Sequence, residues 1–123
     1  MNLNQVTITV SNIEKSIEFY TLLGLILIVK APHYARFECP DGDATFSIHL
    51  GPLTNTNTTI IYFEVADVDK KISELECKGI TILQFPQDQS WLWREAVIQD
   101  PDGNNIIIYN AGENRKNPPW RIS

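Results

Sequence analysis

The sequence predicts an α+β fold of two tandem modules, each running strand, helix, strand, strand, strand, within a single domain of 123 residues. Three observations carry that prediction. First, the chain repeats itself. Val6–Val10 aligns with Ile61–Val65, and at one constant spacing Ile13 falls on Val68, Lys15 on Lys70, Ile17 on Ile72 and Gly24 on Gly79. Second, within each copy the apolar residues alternate at period two, pass to helical spacing, and return to alternation. Third, the turn Pro40-Asp41-Gly42 recurs as Pro101-Asp102-Gly103, a few residues later in the second copy. Two copies are too few for a solenoid, which stacks three or more units. They predict instead two small modules closing on one cleft. The first module covers about residues 1–53, the second about 57–110, and a tail follows over 111–123.

Each element has its own local reason. Residues 5–10 set Val6, Ile8 and Val10 on one face and Gln5, Thr7 and Thr9 on the other, which is a half-buried strand. Ser11 and Asn12 offer a helix N-cap, and Ser11-x-x-Glu14 fits a capping box. Ile13, Ile17, Tyr20 and Leu23 recur at helical spacing, and Gly24 supplies the left-handed stop. Leu25–Lys30 is apolar and β-branched, Ala31-Pro32-His33 turns the chain, and Tyr34–Glu38 is a further strand. After the Pro40–Asp43 turn, Ala44–Leu50 sets Phe46, Ile48 and Leu50 against Thr45, Ser47 and His49. The polar stretch from Gly51 to residue 58 is the linker. In the second copy the elements are a strand over 60–65, a helix capped by Asp67 and closed by Gly79, and a strand over 80–85. A loop containing Pro86 leads to a strand over Trp93–Gln99, and the Asp100–Gly103 turn to one over Asn105–Asn110. The tail, with Pro118 and Pro119, predicts no regular element, and Trp120 is expected to pack against the rest of the chain.

Composition narrows the function. A chain of this length buries about two thirds of its unfolded surface, and 43% hydrophobic with 20% charged residues is ordinary for a globular protein. The net charge is −5 and no run of Lys or Arg occurs, which argues against nucleic acid and anionic membrane surfaces as partners. No signal segment or bilayer-length apolar stretch is apparent, so a cytoplasmic location is expected. Cys39 and Cys77 lack metal-type spacing and read as reduced thiols.

The run Val10–Tyr20 ending in Phe19-Tyr20, then Leu23-Gly24-Leu25 and the late turn Asp100–Asn104, resembles the vicinal oxygen chelate superfamily. Its members include glyoxalase I, extradiol dioxygenases, and fosfomycin- and bleomycin-resistance proteins. The resemblance covers about residues 3–110. It implies two βαβββ modules whose mixed sheets curve around one concave pocket, often completed by dimerisation, so a homodimer is expected. It also implies a divalent metal held by His, Gln or Glu from four strand positions. Those positions fall on Gln5, on Ser47 or His49, on Ile60 and on Ile107. An alkyl side chain has no lone pair, so no metal cofactor is expected. A divalent metal, were one to bind, would draw on Gln5 and His49.

Alternation on such sheets turns Gln5, Thr7, Thr9, Thr45, Ser47 and His49 inward, and Ile60, Tyr62, Glu64, Asn105, Ile107 and Tyr109 likewise. Arg94 or Glu95 joins them from the penultimate strand; Trp93-Arg94-Glu95-Ala96 alternates too poorly to choose. The expected ligand contacts are Gln5, Thr7, Ser47, His49, Tyr62, Arg94 and Tyr109. Glu64, Glu95 and His49 are the candidate acid/base groups, although Glu64 also suits a rim ion pair with Arg94 or a lysine. This lining predicts binding of a small, partly polar organic molecule, in the manner of the bleomycin-resistance branch. The alternative is a metal-dependent glyoxalase I-like lyase or isomerase with a rearranged site. A dioxygenase needs two His and a carboxylate on iron, and the chain has only His33 and His49, with His33 in a turn.

Overall fold

In the computed structural model, which describes residues 1–53 and 59–122, the expected alternations become strands with few changes. Part of the expected linker, residues 54–58, lies outside the described residues. The chain divides into two compact units, Met1–Asn57 with Asp100–Asp102, and Thr58–Gln99 with Gly103–Ser123.

The first unit holds β1 (Gln5–Val10), α1 (Ile13–Leu23), β2 (Ile26–Ala31), β3 (Tyr34–Glu38) and β4 (Thr45–Leu50). Its sheet runs in the order β1-β4-β3-β2, with β1 parallel to β4 and the other pairs antiparallel. The helix starts at Asn12, whose side-chain oxygen accepts the Lys15 N–H at 3.0 Å. The Ser11-x-x-Glu14 box does not form. Ser11 instead bonds the Asp102 carboxylate through both its N–H (3.0 Å) and its hydroxyl, and Glu14 pairs with Lys30 at 3.3 Å. Gly24 ends the helix at φ +107°, with its N–H on Thr21 O (3.0 Å) and that of Leu25 on Tyr20 O (3.2 Å). Leu25 is therefore buried in the helix stop rather than opening the strand.

Beneath α1, Tyr20, Phe37 and Phe46 are buried with ring centroids 4.8–6.4 Å apart, each contributing about 2–3 kcal/mol by area. Leu50 was expected there too but is 37% exposed, because β4 ends at that residue. Every residue of β2 is exposed; it is one of the sheet's two edge strands, with β1 the other. The Asp100–Asp102 turn is fastened into this unit. Asp100 is buried, accepts the Tyr20 hydroxyl at 2.7 Å, and caps its own turn through the Asp102 N–H at 2.9 Å.

The second unit holds β5 (Ile61–Glu64), α2 (Val68–Cys77), β6 (Ile82–Asp88), β7 (Arg94–Gln99), β8 (Asn105–Asn110) and a short 3-10 turn, Gly112–Arg115. Its sheet order, β5-β8-β7-β6, repeats that of the first, again with one parallel pair. Asp67 caps α2 through the Lys70 N–H (3.0 Å), and Val68, Ile72 and Leu75 are buried with Ile98, Ile106 and Ile108. β6 runs through Pro86, where a loop was expected. It is an edge strand, where a missing N–H is tolerated, and register shifts at Gln84 absorb the irregularity. The tail has the 3-10 turn where no regular element was expected. Trp120 is 58% exposed, held at the surface by a turn closed from Arg121 N–H to Pro118 O (3.0 Å), so its expected packing is not made. No helix among the described residues is long and apolar enough to cross a membrane.

Candidate functional site

In the first unit, strand register lays the polar residues out as a grid. Gln5 stands opposite Thr45, Thr7 opposite Ser47 and Thr9 opposite His49 on β1 and β4, while β3 adds Arg36 beside Ser47 and Tyr34 beside His49. The opposite face carries Ile8, Val10, Ala35, Phe37, Phe46 and Ile48, all buried, so pleating forces the polar set onto one side. There the side chains form one connected network. Gln5 donates to Thr7 (3.1 Å) and to Ser47 and accepts from Thr45; Ser47 meets the Tyr34 hydroxyl at 2.7 Å; Arg36 Nε donates to that hydroxyl at 2.9 Å. Either hydroxyl of the Ser47–Tyr34 pair can donate to the other. Hydrogen bonds from Ser47 and then Arg36 hold the Tyr34 phenol below its ordinary value of 10.0.

Tyr34 and Arg36 were not among the expected site residues. Their signal was present: Tyr34-Ala35-Arg36-Phe37-Glu38 alternates polar with apolar as plainly as β1 does. His49 stands apart from Gln5. Its ring bonds Thr9 Oγ1 (3.1 Å) and Leu50 O (3.3 Å), four residues along the sheet, or about 13 Å at ~3.3 Å per residue.

That spacing bears on a metal. Gln5 and His49 do not reach one coordination sphere, where donor atoms sit about 2 Å from the ion. The register makes Ser47, not His49, the counterpart of Ile107: Thr7 pairs Ser47 as Tyr62 pairs Ile107. Ser47 is fully buried and already bonded to Gln5 and Tyr34. The four positions that the resemblance assigns to a metal thus hold an engaged amide, an engaged hydroxyl and two alkyl groups, Ile60 and Ile107. These residues do not fit a divalent ion.

The second unit's corresponding face is aromatic. Trp93 stacks on Tyr109 with centroids 4.8 Å apart, and Tyr62 meets both edge-on at 6.0 and 5.5 Å. Ile107, Ala111 and Val97 extend the apolar patch. Burial, and secondarily the Glu64 carboxylate, raise the Tyr109 phenol above its ordinary value, so it stays neutral. Glu64 does not pair with Arg94 or a lysine. Its carboxylate accepts the backbone N–H groups of Ala111 (2.9 Å) and Gly112 (3.2 Å), with Arg115 3.9 Å away, and so ties down the tail.

The two neighbours on β7 separate cleanly. Glu95 stands opposite Tyr109, buried, and accepts the Trp91 indole N–H at 3.1 Å. Arg94 turns to α2, forking onto both Asp69 oxygens at 2.8 Å and reaching Asp88 at 3.0 Å. It also lines a cleft of about 490 Å³, with Leu92, Trp93, Asn110 and Asn114, between the β6–β7 hairpin and the 3-10 turn. Of the expected site residues, the structure therefore brings Gln5, Thr7 and Ser47 together in one network, and Tyr62 and Tyr109 in one aromatic cluster. It leaves His49 at the end of the polar face and turns Arg94 away from the aromatic one.

Two modules of this order, with this register and these motifs, define an α+β protein of paired βαβββ units. The chain belongs to the Glyoxalase/Bleomycin resistance protein/Dioxygenase superfamily, whose sequence model matches residues 2–108. It is 31% identical over 107 residues to an uncharacterized protein of Mycolicibacterium smegmatis, covering 85% of this chain and 90% of that one. It is also 31% identical over 127 residues to the Bacillus subtilis protein YraH, covering 89% and 98%. Among solved structures, a bleomycin-binding protein complexed with bleomycin is similar at TM-score 0.75 and 16% identity, covering 89% of this chain and 98% of that one. Lactoylglutathione lyase from Agrobacterium tumefaciens is similar at TM-score 0.74 and 16% identity, covering 98% and 97%. At such identities the likeness is one of fold, and the fold accommodates both a binding protein and a lyase.

Proposed function

We propose that this protein binds a small, partly polar organic molecule and does so without a divalent metal. The observation that carries the reading is the state of the four metal positions: Gln5 and Ser47 satisfy each other, while Ile60 and Ile107 offer no donor. The first unit's polar face supplies ligand contacts from Gln5 and Thr7, with His49 at its end, while the fully buried Ser47 positions Gln5 and Tyr34 from behind. In the second unit Tyr62 and Tyr109 supply apolar, stackable surface. Arg94 contributes as a wall of its cleft, its charge already met by Asp69 and Asp88.

The competing reading is a metal-dependent glyoxalase I-like lyase in which Glu64, Glu95 or His49 moves a proton. Glu95 favours it most, as a buried carboxylate on the aromatic face. Elemental analysis after loading with nickel, zinc, manganese or ferrous iron and removal of excess decides between the two. Retention of about one equivalent per chain, with metal-dependent turnover of the methylglyoxal–glutathione hemithioacetal, overturns the binding reading. No retained metal, together with saturable thermal-shift responses to small organic ligands, supports it. We also infer a cytoplasmic homodimer. The exposed Ile26, Leu27, Ile28 and Val29 on edge strand β2 favour a covering second copy, which light scattering would register as twice the chain mass.

A further inference from the structure

Two of the chain's four arginines have carboxylate partners: Arg94 holds Asp69 and Asp88, and Arg115 lies 3.9 Å from Glu64. Arg121 donates to the neutral Lys116 O and Asn117 side chain but is exposed to solvent. Arg36 combines a missing carboxylate with partial burial. Among the described residues its guanidinium makes one hydrogen bond, from Nε to the Tyr34 hydroxyl, and no carboxylate stands within ion-pair distance. Its cation also sits over the Tyr34 ring, 5.5 Å from the centroid. The side chain is half-buried in an inner strand, with Val29 and Ser47 beside it across the sheet. Glu38, next but one on the same face of β3, is exposed and makes no ion pair with it, so the cation stays unpaired at a half-buried position, at an electrostatic cost that a fully exposed arginine escapes. In a chain of net charge −5, carboxylates to neutralise it were not scarce.

Its surroundings supply donors in place of a counter-ion. The Tyr34 oxygen accepts from Arg36 and shares a hydrogen bond with the Ser47 hydroxyl in which either oxygen can donate; with Ser47 donating, the phenolic proton is available to an acceptor outside the protein. Gln5 and Thr45 hold Ser47's neighbourhood in place. Both terminal nitrogens of the guanidinium, and the Tyr34 O–H, are thus donors positioned by a fixed network. Planar two-oxygen anions are what a guanidinium fork matches.

We propose that Arg36, assisted by Tyr34, is an anion-recognition site, and that the molecule this face takes carries a carboxylate or a comparable planar oxyanion. This rests on the binding reading above and adds the ligand's charge to it. Arg36 is a binding residue here, with no chemical step assigned.

The test is a nitrogen-15 NMR titration of the whole protein with benzoate and, separately, with its neutral isostere benzamide. The observed signals are the Arg36 Nε–Hε and the β3 and β4 amides. A saturable benzoate response at least about tenfold tighter than that of benzamide is expected, as for hydrogen bonds to a charged partner. Arg36→Gln should abolish the preference, and Arg36→Lys, which keeps the charge without the fork, should retain part of it. Equal affinity for the two probes, or benzoate binding that survives Arg36→Gln, overturns the anion assignment while leaving small-molecule binding intact. Silence of these signals toward both probes overturns the assignment as well, and the metal analysis then judges the binding reading independently. Should Arg36→Gln not fold, Arg36→Lys and the two-probe comparison in the unmodified protein still decide.

Discussion

Removing one oxygen atom from Tyr20 should measurably loosen the first unit. The Tyr20 ring is fully buried and its hydroxyl donates to Asp100 at 2.7 Å, a carboxylate that is itself only 5% exposed. Tyr20→Phe keeps the contacts with Phe19, Phe37 and Phe46 and deletes only the donor. A hydrogen bond to a charged group contributes about 1.5–3 kcal/mol. Asp100 keeps its bond from the Asp102 N–H, so the lower part of that range, about 1.5–2 kcal/mol, applies. With an unfolding entropy of about 2.1 cal/mol/K per residue over 123 residues, each kcal/mol moves the midpoint by about 4 °C, giving a fall of about 6–8 °C.

The assay is thermal and urea unfolding of Tyr20→Phe, Asp100→Asn and the double variant, read as a cycle. The coupling should be at least about 1 kcal/mol. The pH dependence has a definite sign. Burial, then the Asp100 charge, raises the Tyr20 phenol well above its ordinary value of 10.0. Its stabilising contribution is therefore complete below about pH 10 and shrinks as pH rises further. The gap between native protein and Tyr20→Phe should be constant through neutrality and narrow only above that value. A midpoint unchanged within a degree, or zero coupling in the cycle, would refute the anchor.

Three further outcomes follow from single residues. The Ser16 hydroxyl is buried in α1 with no hydrogen-bond partner among the described residues, so Ser16→Ala should stabilise by about 1 kcal/mol in urea unfolding; a loss of stability would show a hidden partner. Leu92 holds φ +68° at the tip of the β6–β7 hairpin, where a side chain costs about 1 kcal/mol or more, so Leu92→Gly should raise the urea midpoint or leave it level; a clear fall would mean the leucine's packing outweighs its strain. Hydrogen bonds from Arg94 hold the Asp69 carboxyl below its ordinary value of 3.8, a contribution present above about pH 4 and lost as pH falls further. Both side chains are substantially exposed, so the effect is small, and Arg94→Gln should flatten the acid limb of the stability profile between about pH 4 and 2. An unchanged limb would discount the pair.

Most of the fold was legible because burial on one side of a sheet forces period-two alternation, and β1, β3 and β4 obey it. Leu25–Lys30 reads as a strand, and β2 forms there over Ile26–Ala31, but composition does not reveal that every residue of it is exposed. Position at the edge is not the whole reason, since β1, the other edge of the same sheet, buries Ile8 and Val10. Arg94 and Glu95 were left unresolved from the residues on their own side of the hairpin. Counting back from Ile98 and Ala96, both fully buried, places Arg94 on the helix side and Glu95 on the other. The Tyr20–Asp100 and Ser11–Asp102 bonds had no sequence signal, since eighty or more positions separate the partners and each Asp reads locally as a turn residue.

The repeat itself sharpens the functional argument, because register identifies equivalent positions in the two units. The row Thr7–Ser47–Arg36 in the first corresponds to Tyr62–Ile107–Val97 in the second. The row Thr9–His49–Tyr34 corresponds to Glu64–Tyr109–Glu95. One backbone therefore carries a hydrogen-bonding, cation-bearing face in one copy and, in the other, an aromatic face edged by the Glu64 and Glu95 carboxylates. A metal drawing on both copies needs donors at both members of each equivalent pair, and Gln5/Ile60 and Ser47/Ile107 each contain one alkyl side chain. Ile60 and Ile107 stand in the second unit where donors would be needed, while in the first the Arg36 guanidinium has no carboxylate within ion-pair distance among the described residues. Under the anion proposal that guanidinium is where the ligand's charge is met, on the first unit's face alone, and the four positions assigned to a metal have no part in it.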